Sequence, residues 1–128
     1  MKDSNAALAT DRASEDKSEE RRTYLAALAV SLVVLTGYVW TLAPSVTFWD
    51  AGEFIATSKI LGIPHPPGTP LFTLMVKVWA FFVPIGEYAY RSNLMTAVFS
   101  AAGAGFWFLV VLQTLRVMEG QEEHRDRI

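Results

Sequence analysis

The chain of 128 residues contains no cysteine, which excludes disulfides and thiolate-bound metals and leaves the redox compartment undetermined. Histidine is almost as scarce. His65 and His124 stand far apart in sequence, which argues against a metal site built from several histidines. Charge is missing from the middle: residues 23–115 hold only Asp50, Glu53, Lys59, Lys77, Glu87 and Arg91. With hydrophobic residues at 52%, that distribution belongs to an integral membrane protein. A formal net charge of −2 gives no reason to expect a nucleic-acid partner. There is also no phosphate-cradling glycine loop and no Ser/His/Asp nucleophile order.

What is present falls into three apolar segments between charged tails at 1–22 and 116–128. Residues 24–43 carry no charge, and as a helix they reach about 30 Å, enough to cross a bilayer. Tyr24, Tyr38 and Trp40 near the ends suit an interfacial aromatic belt, and no small-x-small cleavage site marks a signal peptide. The second segment starts at Pro70, with Thr69 as candidate cap, and is interrupted by Pro84. It is expected over 70–88, either kinked at Pro84 or re-entrant. Lys77 in its middle snorkels to the surface or faces a polar cavity. The third segment, 93–115 with Ser92 or Asn93 as cap, bears Ala97, Ala101 and Gly105 beside Ser100 and Ala104. Rows of small residues at this spacing let helices approach closely, and they call for partner helices.

The expected architecture is therefore an all-α membrane protein with about three transmembrane or re-entrant helices. A short extracytoplasmic helix lies in the loop 44–69. The leading tail, rich in Ser, Asp, Glu and Ala, reads as disordered. Five Lys/Arg precede the first span and only Lys59 follows it closely, which predicts a cytoplasmic N-terminus. The Asp50 loop then faces the periplasm of a bacterial inner membrane, or the lumen of a eukaryotic one.

That loop holds the chemistry. From Trp49 the chain reads as a helix ending near Gly62 and stopped by Pro64. Helical spacing places Asp50, Glu53 and Thr57 within an arc of roughly 60°, with Lys59 opposite. One reading is a capping box, with Asp50 as cap and Glu53 as its partner three residues on. The other is a carboxylate acting as general base on an acceptor hydroxyl, or Asp50 and Glu53 holding a divalent metal, the candidate cofactor. Partial burial would raise a carboxylate toward the range a base needs. His65, on the turn Pro64-His65-Pro66-Pro67-Gly68, either satisfies loop carbonyls or contacts a phosphate, acts as an acid or ligates metal. Lys77 and Arg91 complete the candidates for substrate binding, with an interfacial anchor the simpler role for Arg91.

Thr47-Phe48-Trp49-Asp50-Ala51-Gly52-Glu53-Phe54, followed by Leu61-Gly62-Ile63 and His65-Pro66-Pro67-Gly68-Thr69-Pro70-Leu71-Phe72, resembles the start of glycosyltransferase family 117. These are polytopic proteins similar to protein O-mannosyltransferases. The resemblance covers roughly residues 24–112 and implies the N-terminal part of a GT-C type fold. It implies a sugar moved from a polyprenyl-phosphate carrier to an acceptor hydroxyl, possibly on protein. Asp50 becomes the base, Glu53 its partner and His65 the residue near the carrier phosphate. The partners implied are the bilayer, the lipid-linked donor, a protein acceptor and further membrane helices. Two residues separate Asp50 from Glu53, where the O-mannosyltransferases have adjacent Asp-Glu, so the division of labour is open. With so few spans the chain reads as an N-terminal fragment, a truncated gene product or a reduced relative. The competing readings are a non-catalytic small membrane protein that packs with partner helices and, on Lys77 alone, a transporter subunit.

Overall fold

The structure is a computed structural model. It describes the backbone of residues 2–66 and 69–125, and the side chains of 14–66 and 69–120. Pro67 and Gly68 of the proline-rich turn, and the side chain of His124, lie outside the described residues. Among the described residues there are four α-helices and no strand: α1 (Lys2–Trp40), α2 (Ala51–Ile60), α3 (Pro70–Phe82) and α4 (Tyr88–Arg125).

Two stretches are long and apolar enough to cross a membrane, Ser14–Trp40 and Tyr88–Gly120. Only 6% and 22% of their most apolar windows are buried inside the chain. The core helix of a soluble protein would be covered by its own neighbours, whereas these two leave their apolar surface to lipid or to other helices. The chain is thus an integral membrane protein. α3 is apolar but its 13 residues reach only about 20 Å, short of a full span.

Helix boundaries differ from the sequence expectation in three places, each with a local cause. α1 includes the charged residues 2–22, read above as disordered, because lengthening an existing helix through Ala, Glu, Lys and Arg needs no new nucleus. α3 stops at Phe82 instead of running to 88. Pro84 lacks an N–H and disfavours helical geometry at Val83, which sits at φ −115°, ψ 78°. A turn with Gly86 at φ +65° then reverses the chain, and α4 starts at once, five residues before 93. Ser92 and Asn93 are therefore inside α4 rather than capping it.

The chain divides into two compact units. In the first, α1 up to Val33 pairs with α4 from Ala102. Gly105 lies against Ala27 and Ser31, and Arg116 Nη2 donates to Thr23 Oγ1 at 3.0 Å. The numbering rises along one helix as it falls along the other, so the pair is antiparallel. In the second unit, Val34–Ala101, α2 packs on α3 around a small core that includes Ile55, Val76, Ala80, Ala89 and Met95. Two buried hydroxyls of this unit are satisfied locally, whereas Thr69 Oγ1, Trp79 Nε1 and the Tyr88 hydroxyl are buried without a partner. Ser58 Oγ donates to the Ile55 carbonyl, and Thr73 Oγ1 to those of Thr69 and Pro70.

Three longer ties close the second unit. Lys77 Nζ on α3 donates to the Lys59 carbonyl at the end of α2, where the helix dipole is negative. Arg91 spreads its guanidinium over the Ala80, Ile85 and Gly86 carbonyls. Asn93 Nδ2 donates to the Ala43 and Ser45 carbonyls at 3.0 and 3.2 Å, fastening α4 to the chain just after α1.

Candidate functional site

α2 exists because Ala51-Gly52-Glu53-Phe54-Ile55-Ala56 offers apolar residues for α3 while leaving the Asp50/Glu53 face free. Left-handed residues mark both ends: Trp49 at φ 66° before it and Leu61 at φ 57° after it. Leu61 and Gly62 both return their N–H groups to the Thr57 carbonyl, so the helix ends at Ile60, two residues before the expected glycine, with Leu61 as its cap. Trp40, Phe48 and Trp49 are 88%, 94% and 93% exposed, an aromatic set suited to the membrane boundary.

Asp50 does occupy the position before the first turn, but its carboxylate makes no capping hydrogen bond. Glu53 does not turn back to complete a capping box. Its carboxylate instead crosses to the proline-rich turn, where Oε1 accepts the His65 backbone N–H and Oε2 accepts from His65 Nδ1, both at 2.7 Å. Thr57, third on the acidic arc, turns its hydroxyl onto the Glu53 and Phe54 carbonyls and offers nothing outward. The Phe54 ring lies 5.8 Å from the imidazole and 5.8 Å from Phe72, edge-on to the latter. The turn is thereby held on α2 by a carboxylate and a ring, and prolines on either side of His65 limit its backbone.

The electrostatics follow from this pairing. The hydrogen bond from His65 holds the Glu53 carboxyl below its usual value. The same bond, with the charges of Glu53 and Asp50, raises His65 above the ordinary histidine range. Asp50, Glu53 and His65 each offer one ligand-type atom within 4.8 Å of one another. As arranged, however, both Glu53 oxygens and His65 Nδ1 are engaged with each other. A divalent ion on Nδ1 would have to displace its proton, whereas Nε2, the Asp50 carboxylate and a second lone pair on each Glu53 oxygen are not engaged. The arrangement is a hydrogen-bonded pair beside an uncommitted carboxylate.

The profile of the family described as the protein O-mannosyl-transferase TMEM260 N-terminal domain matches residues 50–128, from Asp50 onward. The chain belongs to this family. It is 38% identical over 86 residues to the protein O-mannosyl-transferase TMEM260 of Mus musculus, covering 67% of the chain and 12% of the mouse protein. To the protein of the same name in Dictyostelium discoideum it is 33% identical over 76 residues, 58% of the chain and 9% of that relative. The chain thus corresponds to a small part of these TMEM260 proteins. No solved structure matches it. Both relatives are eukaryotic, so the bacterial inner membrane expected from the sequence has no support, whereas integral membrane placement stands.

Of the five candidate residues, three meet at one place: Asp50, Glu53 and His65. Lys77 and Arg91 bond to backbone carbonyls of α2, α3 and the turn before α4. Sequence spacing paired Asp50 with Glu53 but missed that His65, twelve residues past Glu53, is the true partner of that carboxylate. It also missed Phe54, whose ring reads in sequence as ordinary apolar filling.

Proposed function

We propose that the chain forms the acceptor-activating part of a TMEM260-type membrane glycosyltransferase that uses a polyprenyl-phosphate sugar. The observation that carries this reading is the Asp50 carboxylate, exposed and without a capping bond, beside an imidazole held by Glu53. Asp50 takes the proton of an acceptor hydroxyl as its oxygen bonds to the anomeric carbon. The bond from that carbon to the carrier phosphate breaks, and the electron pair leaves with the phosphate. His65, whose hold on a second proton is strengthened by Glu53, donates a hydrogen bond from its charged form to a phosphate oxygen as the charge there grows. Lys77 and Arg91 then hold the scaffold instead of touching substrate. The charge bias puts the N-terminus in the cytoplasm and the Asp50 loop on the lumenal or outer side. The protein acceptor comes from the relatives' name, protein O-mannosyl-transferase.

The alternative, a non-catalytic membrane protein that packs through its small-residue row, loses its main support. Ala97, Ala101 and Gly105 are buried within the chain itself. The test is Asp50→Asn in the full-length protein, assayed in membranes for consumption of a polyprenyl-phosphate sugar. Turnover should vanish with protein levels and thermal unfolding unchanged. Wild-type turnover would remove Asp50 from the chemistry.

A further inference from the structure

We propose that Glu53 is a positioning residue, which fixes His65 in the tautomer that presents Nε2 outward. The proposal rests on the reading above only for what Nε2 then does. Its physical basis is the double bond count on one carboxylate. Glu53 accepts the backbone N–H of His65 through one oxygen and the ring Nδ1 through the other. An ionised carboxylate only accepts, so the proton of a neutral imidazole must sit on Nδ1. The backbone bond fixes where the residue is, and the ring bond fixes which way the imidazole is turned. Phe54, 5.8 Å away at 57°, and Phe72 behind it restrict swinging of the ring. With Nδ1 committed, Nε2 is the atom left for a ligand: a lone pair when the ring is neutral, a donor when it is charged.

The charged groups around the imidazole are Glu53 on α2 and Asp50 just before it. Among the described residues, α3, which packs on α2, carries Lys77, whose amine is tied to the far end of α2. Among the described residues, Glu53 is the partner of Nδ1. This differs from the usual expectation for two acidic residues on one helix face, that both serve one ligand. Here one carboxylate faces substrate and the other serves the histidine.

A simple staple and a positioning residue make different predictions for Glu53→Gln. Glutamine keeps both connections: its carbonyl accepts the backbone N–H, and its amide donates to Nδ1. The amide can only donate there, so the ring proton must move to Nε2. The experiment is nitrogen NMR of the full chain in nanodiscs, with labelled histidine and His124→Gln to leave one signal. The wild-type neutral ring should be Nδ1–H and the Glu53→Gln ring Nε2–H, with thermal unfolding alike in both. In the full-length enzyme, kcat for Glu53→Gln should fall by about tenfold to hundredfold, within the range of proton-handling groups, while the acceptor KM holds. An Nε2–H ring in the wild type, or one tautomer shared by both proteins, overturns the proposal. If the tautomers behave as stated but Asp50→Asn still turns over, the proposed function fails and the assignment of Glu53 stands.

Discussion

Gly105 is where a single methyl group should be felt most strongly. It lies on α4 against α1, and a Cβ built there would stand 3.0 Å from the Ala27 carbonyl oxygen and in collision with Ser31 Oγ. The hydroxyl can rotate away, but the carbonyl belongs to the helix backbone and yields only if α1 shifts. Overpacking of this kind costs about 1–3 kcal/mol. Against it stands the gain of about 1 kcal/mol when alanine replaces glycine inside a helix. Gly103, two residues earlier, isolates that gain, because a Cβ there meets nothing within 4 Å. Gly103→Ala should therefore be neutral or stabilising, and Gly105→Ala should lie about 1–3 kcal/mol below it. Adding Ser31→Ala to Gly105→Ala should restore part of the loss, since the Ser31 Cβ lies at an ordinary 3.5 Å from the added atom. Gly105→Leu has no room for its further carbons and should cost about 3 kcal/mol or more. Denaturant unfolding in micelles, followed by tryptophan fluorescence, compares the set. Equal stability of Gly105→Ala and Gly103→Ala, or no coupling to Ser31, would refute the close crossing of α1 and α4.

The other predictions concern the second unit. Asn93→Ala removes both bonds to the Ala43 and Ser45 carbonyls and should lower stability by about 1–2 kcal/mol in thermal unfolding. Asn93→Asp should be worse, because an ionised carboxylate cannot donate to those oxygens. A loss of only a few tenths would mean that water replaces the side chain. Attachment of the His65 turn should depend on pH at both ends. The raised His65 contributes fully below its unfolded value of 6.5, and its contribution is lost as pH climbs through the folded value. The lowered Glu53 contributes fully above 4.5, and its contribution is lost as pH falls through its folded value. Hydrogen exchange at the His65 amide should thus show greatest protection between these limits, beyond the intrinsic pH dependence of exchange. Protection that rises steadily above pH 7 would contradict the pairing.

Much of the fold could be read in the sequence because membrane-length apolar runs are a strong physical signal. The first span, the shortness of the α3 segment and the helix after Trp49 all follow from composition, proline and glycine. The boundaries of α3 and α4 were less legible. A proline can either kink a helix or end it, and the choice rests on whether tertiary ties favour the turn. Arg91 supplies such ties through the Ala80, Ile85 and Gly86 carbonyls. Those contacts span up to eleven residues and carry no local pattern. The small-residue row was legible as a site of close helix approach, but not as an internal one. Only the structure gives Gly105 its partner, α1, and so turns an apparent docking surface into part of the chain's own packing.

The acidic pair shows the same limit at closer range. Spacing i, i+3 correctly put Asp50 and Glu53 on one face, and the capping-box reading used that proximity in the cheapest local way. What decides between local and long-range partners is desolvation and competition. A backbone N–H at a solvated helix start can bond water at little cost, whereas the His65 turn offers an N–H and a ring nitrogen in a fork that one carboxylate can satisfy together. Glu53 therefore leaves the helix start, and Asp50 is left without a capping bond. The two residues between them are what permit this division, because adjacent positions on a helix point about 100° apart. At the i, i+3 spacing, one carboxylate can hold the loop while the other stays on the same face, beside the imidazole whose proton affinity it helps to raise.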